Sequence, residues 1–292
     1  MVDVAIRGRG REPERSYRGR SPVARAMLYM VAFAVLGAII IPVAYAVLGG
    51  FRDTAQLAAS PVAFPDPWIF TNYLEVLGSG SFWEQVWNST FIAVLTVALV
   101  LPAASLAAFV ISRFSFRGRE AVYTLFVLGL LFPVAVAILP LYIVIRELGL
   151  LNTTVGVALP QVAFQLPLSI VILRPFFASI PRELEEAAII DGAGSLRFYW
   201  SVLLPLSRPV LATIAVLTVV TSWNAFLLPL VVLTDSAGWT LPIGVTNYST
   251  QYTTDTARVL AYTTLAMIPA LLFYAVAERQ IVRGLVAKGI KG

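Results

Sequence analysis

The sequence predicts an all-α membrane protein whose six transmembrane helices leave both termini on the cytoplasmic side. Three observations carry this. Of the 292 residues, 59% are hydrophobic and only 13% are charged, with a mean hydropathy of +0.83, whereas soluble domains are nearer about a quarter charged. Six runs contain no charged residue: Met27–Leu48, Ser89–Val110, Ala121–Val144, Val155–Leu173, Val210–Leu233 and Val259–Val276. Each approaches or exceeds the roughly 20 residues that cross a hydrocarbon core. Finally, of 21 Lys and Arg residues, all but Arg52, Arg146 and Arg258 fall in segments that six spans place on one side. The positive-inside rule assigns that side to the cytoplasm.

Residues 1–25 hold seven arginines spaced by Gly and Pro. Such a segment cannot bury enough apolar area to fold, and it reads as a disordered basic cytoplasmic tail attracted to anionic lipid. No aromatic interleaving accompanies the arginines, so nucleic acid is not the expected partner. The six-helix permease domain is placed at residues 26–278. Its first run lies too far from the terminus, and lacks the small-residue cleavage pattern, for a signal peptide. After it comes an outer segment, Gly49–Asn88, with Trp68, Tyr73, Trp83 and Trp87. Its stretch Thr71–Trp87 is expected to form an amphipathic helix at the outer interface, where Trp and Tyr are favoured. The third run carries Pro133 and Pro140, seven residues apart on one face, which kink the helix or shape a cavity. A cytoplasmic loop, 174–208, separates the fourth and fifth runs, and a short cytoplasmic tail, 279–292, closes the chain. Asn88, Asn152 and Asn247 each begin an N-x-S/T triplet, to which nothing is assigned.

The composition also narrows the chemistry. There is no Cys and no His, which removes thiol chemistry and the usual transition-metal ligands, so no catalytic or metal site is expected. No Asp, Glu, Lys, Arg or His lies within a span, and proton-coupled carriers typically need such a group. The phosphate-cradling sequence G-x-x-x-x-G-K-[ST] is missing, so the chain builds no ATPase site of its own. Active transport would draw its energy from another polypeptide.

The 174–208 loop is where such a polypeptide could bind. Pro181 suits a first helical turn, and Glu183, Glu185 and Glu186 sit where the helix dipole favours acids. Ala187 and Ala188 offer a small surface for close packing, and Asp191-Gly192 supplies a turn. A second amphipathic stretch, Ser195–Leu204, ends at Pro205. In the spans, Gln165 and Asn224 are candidate hydrogen-bond partners for a neutral polyol, with Trp223 as an aromatic platform. Bonds between helices are the commoner fate of such amides.

This segment resembles the signature loop of the permease subunits of ATP-binding-cassette importers. Glu186-Ala187-Ala188, three residues, Gly192, nine residues and Val202-Leu203-Leu204-Pro205 match the pattern E-A-A, G, I-x-L-P, with Val for Ile. Asp191 and Ala193 complete the extended form of the sugar-importer branch. Trp68 with Asn72-Tyr73 and Asn88-Ser89, Ser112–Gly118, and Leu148–Thr153 are similar to other segments of maltose-type permeases. Trp223-Asn224 also matches, although Ala225 stands where that branch has an acid. The resemblance implies the six-helix fold of a type I importer in a bacterial or archaeal cytoplasmic membrane. It implies a second homologous permease subunit, two ATPase subunits that hold ATP and Mg, and an extracytoplasmic solute-binding protein. It casts Glu186–Ala188, Asp191–Ala193 and Pro205 as the ATPase-coupling residues. The C-terminal tail, with Lys291, Gly292 and an atypical Lys288, would contact the ATPases. A secondary carrier or channel acting without an ATPase, or a membrane scaffold, are the alternatives.

Overall fold

The computed structural model describes residues 22–249 and 254–286. Most of the basic tail, and Lys288, Lys291 and Gly292, lie outside the described residues. Every regular element described is helical. Residues 1–45 form one unit, whose described part is most of α1 (Pro22–Gly49), and the remainder of the chain forms a second.

In the second unit the chain leaves α1 through a small, tightly bonded segment containing α2 (Thr54–Ala59) and α3 (Thr71–Gly78). Buried Arg52 organises it, donating to the carbonyls of Pro61, Gln56 and Ser60 at 3.1, 2.6 and 2.6 Å. Asn72 donates to the carbonyls of Gly50 and Arg52 at 3.0 and 2.7 Å. Tyr73 Oη donates to Val47 O, and burial raises its phenol pKa above the usual value. A Cβ at Gly50 would lie 2.5 Å from that hydroxyl, so this approach requires glycine. The expected helix Thr71–Trp87 is therefore corrected. It ends at Gly78, and Trp83 and Trp87 belong to α4 (Gly80–Arg113), a single 34-residue helix capped by Ser79.

Among the described residues, four helices are long and apolar enough to cross a membrane: most of α1, α4, α7 (Thr154–Ser179) and Thr256–Ala275 within α14 (Thr256–Val286). Two bent pairs raise the number to six if each counts as one span. The run Ala121–Val144, expected as one helix, is the first correction of this kind. It divides into α5 (Arg119–Gly129) and α6 (Val134–Glu147), inclined at 99°. The cause is local. Leu130, Leu131 and Phe132 tighten into i→i−3 bonds, and Pro133 has no N–H to continue the ladder and drives the preceding residue out of the helical region.

The second bent pair involves the 174–208 loop. It contains α8 (Arg182–Ile190), α9 (Ser195–Phe198), a five-residue π-turn Tyr199–Leu203 and α10 (Leu204–Leu206). The helix expected to end at Pro205 instead runs on to Leu206, then turns by 76° into α11 (Arg208–Trp223). Pro209 could not donate to Pro205 O, and its ring would clash with that carbonyl in a straight continuation. Similarly, the run Val210–Leu233 is not one helix. It stops at Trp223 and restarts as α12 (Leu227–Val232), because Pro229 would meet the Ala225 carbonyl in the same way. A last short helix, α13 (Leu241–Gly244), precedes α14.

The most extensive helix pairing is α4 against α7. Their core, with Val100, Ala104, Ala108, Ile170, Leu173 and Phe177, also takes in Phe198, Tyr199 and Leu203 from the loop. Two of the three triplet asparagines have structural work. Asn88 donates to the carbonyls of Ala237 and Trp239, and Asn152 Oδ1 accepts from the backbone of Thr234 and Asp235.

Candidate functional site: a two-sided loop and an intramembrane cavity

Helix α8 begins after Pro181, with Glu183 and Glu185 in its first turn, where carboxylates complement the helix dipole. Its end is closed by a Schellman motif. Gly192 N–H donates to Ile189 O at 2.9 Å, and Ala193 N–H donates to Ala188 O at 2.8 Å. Closing these bonds requires Gly192 at φ +77°, which a residue with a Cβ adopts only under strain. The Asp191-Gly192-Ala193 sequence thus has a mechanical reading: it stops α8 after Ile190 and turns the chain into α9.

One side of this loop is fastened to the bundle. The Arg113 side chain, at the end of α4, is only 3% exposed. Its Nη2 donates to the carbonyls of Phe177 and Ile180 at 2.7 and 2.8 Å, where α7 terminates. Its Nη1 lies 3.5 Å from Glu185 Oε2 of α8. The guanidinium carbon is 6.0 Å from the Phe198 ring centroid. Further along, Tyr199 is buried, with its hydroxyl 2.6 Å from Ser105 Oγ and its ring 5.1 Å from Phe109. The other side is bare. Glu186, Ala187, Asp191 and Gly192 are exposed, as are Ile189, Ile190, Leu196 and Trp200, with Ile190 at 86%. Pro205 lies in α10, just before the bend. Sequence reasoning placed the loop residues but missed Arg113. Its partners are mostly backbone carbonyls far along the chain, which no local pattern announces.

A cavity of about 560 Å³ opens among α4, α7, α11 and the two helix breaks. Gln165 and Asn224 both line it, together with Thr96, Gln161, Phe164 and Ser222. Gln165 is buried. The Asn224 amide caps its own helix, Nδ2 donating to Val220 O at 2.8 Å. Trp223 does not line this cavity. It packs beside the cluster of Val76, Phe82 and Tyr262 and lines two smaller hollows instead. Sequence reasoning also missed the polar centre of the site. Gln161 Oε1 accepts from Thr96 Oγ1 at 3.1 Å and Ser222 Oγ at 2.6 Å, tying α4, α7 and α11 together. The lining carries no charged side chain. Amide and hydroxyl groups suit a neutral, hydroxyl-bearing solute, and irregular backbone at membrane depth is tolerated where it borders such a cavity.

A family model described as binding-protein-dependent transport system inner membrane component matches residues 100–283. The chain is 36% identical over 253 residues to the diacetylchitobiose uptake system permease protein NgcG of Streptomyces coelicolor, covering 86% of this chain and 83% of that one. It is 30% identical to the arabinooligosaccharides transport system permease protein AraQ of Halalkalibacterium halodurans, over 94% of this chain and 99% of that one. A crystal structure of a bacterial ABC transporter involved in alginate import contains a chain with the same fold. The TM-score is 0.76 at 24% identity, over 90% of this chain and 98% of that one.

Proposed function

Because the chain belongs to the family of binding-protein-dependent transport system inner membrane components, we infer that it is the permease subunit of an ATP-driven importer for a sugar or related polyol. Hydrolysis belongs to separate subunits. In this reading the loop 182–207 faces the cytoplasm, and its bare side, Glu186, Ala187, Ile189, Ile190, Asp191 and Gly192 with Trp200, seats in a cleft of one ATPase subunit, while Ala188 packs inward. A second permease subunit, a second ATPase subunit and an external solute-binding protein complete the particle, with lipid around the spans. Closure of the ATPases on ATP pushes the loop. α7 and α11, which flank it, then move with it and change the side from which the cavity is reached. This is rigid-body switching between two states, each stabilised by its own ligands.

The observation that carries the reading is the two-sidedness of the loop. It is stiffened by a glycine-closed turn and anchored inward through Arg113 and Tyr199, and it presents apolar side chains outward. The sugar class is supported by the substrates named for NgcG and AraQ, and by a few uncharged amide and hydroxyl groups in an otherwise apolar cavity lining. A proton-coupled carrier acting alone would need an ionisable group of its own, and no charged side chain lines this cavity.

Reconstitution into liposomes tests it. Labelled diacetylchitobiose, trehalose and arabinotriose are offered with the full set of subunits and the binding protein. Uptake of at least one is expected, and it should vanish when ATP, the ATPase subunits or the binding protein is withheld. Uptake by this chain alone would establish a carrier instead.

A further inference from the structure

We propose that Arg113 is the positioning residue through which the push on α8 reaches the membrane helices. This rests on the import reading above and adds a specific route to it.

From its place on α4, Arg113 contacts the end of α7, α8 and α9 at once. It belongs to α4, and its two short bonds go to carbonyls at the C-terminus of α7, where the dipole favours a cation. The α4–α7 pair is thereby locked into one body at this end. Its contact with Glu185 is longer, at 3.5 Å, and the Glu185 side chain is 24% exposed. The guanidinium is thus fixed firmly to the bundle and loosely to the coupling helix, as suits a joint that transmits displacement without welding the parts. Buried charge also makes the joint selective. A desolvated guanidinium follows its counter-charge, because losing it leaves an uncompensated ion. Arg113 Nε is buried without a partner among the described residues, so no spare acceptor stands ready to replace Glu185.

A second ionic link at this end provides a contrast. Arg174 of α7 pairs with Glu120 of α5 and lies over the Tyr123 ring at 3.9 Å. The Glu120 side chain is 62% exposed, and a solvated pair contributes little. Among the described residues, its hydrogen bonds, ion pairs and ring contacts reach neither α8 nor α9.

The test uses the whole reconstituted importer and measures ATP hydrolysed per labelled sugar imported, with diacetylchitobiose, trehalose or arabinotriose as the probe, whichever the wild type imports. Glu185→Ala removes the joint, leaves the α4–α7 lock intact and keeps a good helix former in α8. The expected result is a rise in the ATP-to-sugar ratio of roughly fivefold or more, within the range of site-to-site coupling, in a complex that still assembles but melts at a lower temperature because the Arg113 charge has lost its partner. Glu120→Gln is expected to leave the ratio where it was. Arg113→Met removes both the joint and the lock, so its complex is expected in lower yield. An unchanged ratio in Glu185→Ala, or equal losses of hydrolysis and uptake, would overturn the proposal while leaving the importer reading intact. Wild-type uptake that ignores ATP would sink the importer reading itself, and the joint with it.

Discussion

Placing arginine at position 192 is expected to leave the importer assembled and its spans inserted while cutting ATP-driven uptake sharply. Nothing lies within 4 Å of a Cβ built on Gly192, so the new side chain meets no obstacle in this chain. The cost within the fold is confined to the left-handed backbone at φ +77°, about 1 kcal/mol for a residue with a Cβ. Outside the fold the consequence is much larger. The side chain projects from the exposed turn that follows α8, into the space where the ATPase would pack. Loss of a site-to-site coupling of the usual size corresponds to a drop of roughly 5–150-fold. Uptake into liposomes should fall in that range, with hydrolysis by the ATPases persisting and the melting temperature of the complex close to wild type. Uptake at the wild-type rate would remove the loop from the coupling path.

Gly156→Val should do the opposite, damaging the fold and not the coupling. Gly156 has an ordinary helical backbone but no room. A Cβ there would lie 3.1 Å from the carbonyl carbon of Leu150 and 3.2 Å from Thr153 Oγ1, and nearer still to the Leu150 oxygen. These are the atoms of the cap that starts α7. Thr153 Oγ1 donates to Leu150 O at 2.7 Å and accepts from Gly156 N–H at 3.0 Å. Overpacking against backbone costs about 1–3 kcal/mol and a lost cap roughly 1 more. That is a large share of the roughly 5–15 kcal/mol that holds a typical protein together. Reduced yield of the assembled complex, and a clear fall in its melting temperature, are the expected readouts. An unaltered melt would show that α7 does not depend on this cap.

The two glycines also show what the sequence could and could not disclose. Gly192 was legible because its role is local: an acidic helix, a turn and a second helix at fixed spacing define it without reference to the rest of the fold. The long apolar helices α1, α4, α7 and most of α14 were legible from hydropathy, since a charge-free run of that length suits a helix that crosses a bilayer. The breaks at residues 130–133 and 224–226 were not. Apolar content runs straight through them, and hydropathy is blind to a missing N–H. Proline at 133 and 229 was visible, but whether a membrane proline bends or breaks its helix depends on the neighbours that take up the freed carbonyl. Gln165 and Asn224 could be singled out as amides in apolar surroundings. Gln161 could not be told apart from them, because its partners Thr96 and Ser222 come from helices remote in sequence. Trp223 follows the same logic: adjacency to Asn224 put it with the cavity, and helix geometry turned it to another side.

The outward side of the 182–207 loop has a consequence for the cell that makes this protein. Ile189 and Ile190 stand side by side, largely uncovered, with Leu196 and Trp200 nearby. Such a surface resembles that of a failed fold to quality-control proteases, and on the function proposed above a cognate subunit would hide it. Synthesis of this chain ahead of its companions should therefore be wasteful. We expect its half-life in pulse-chase labelling to lengthen in step with the dose of the ATPase gene, making subunit stoichiometry self-correcting.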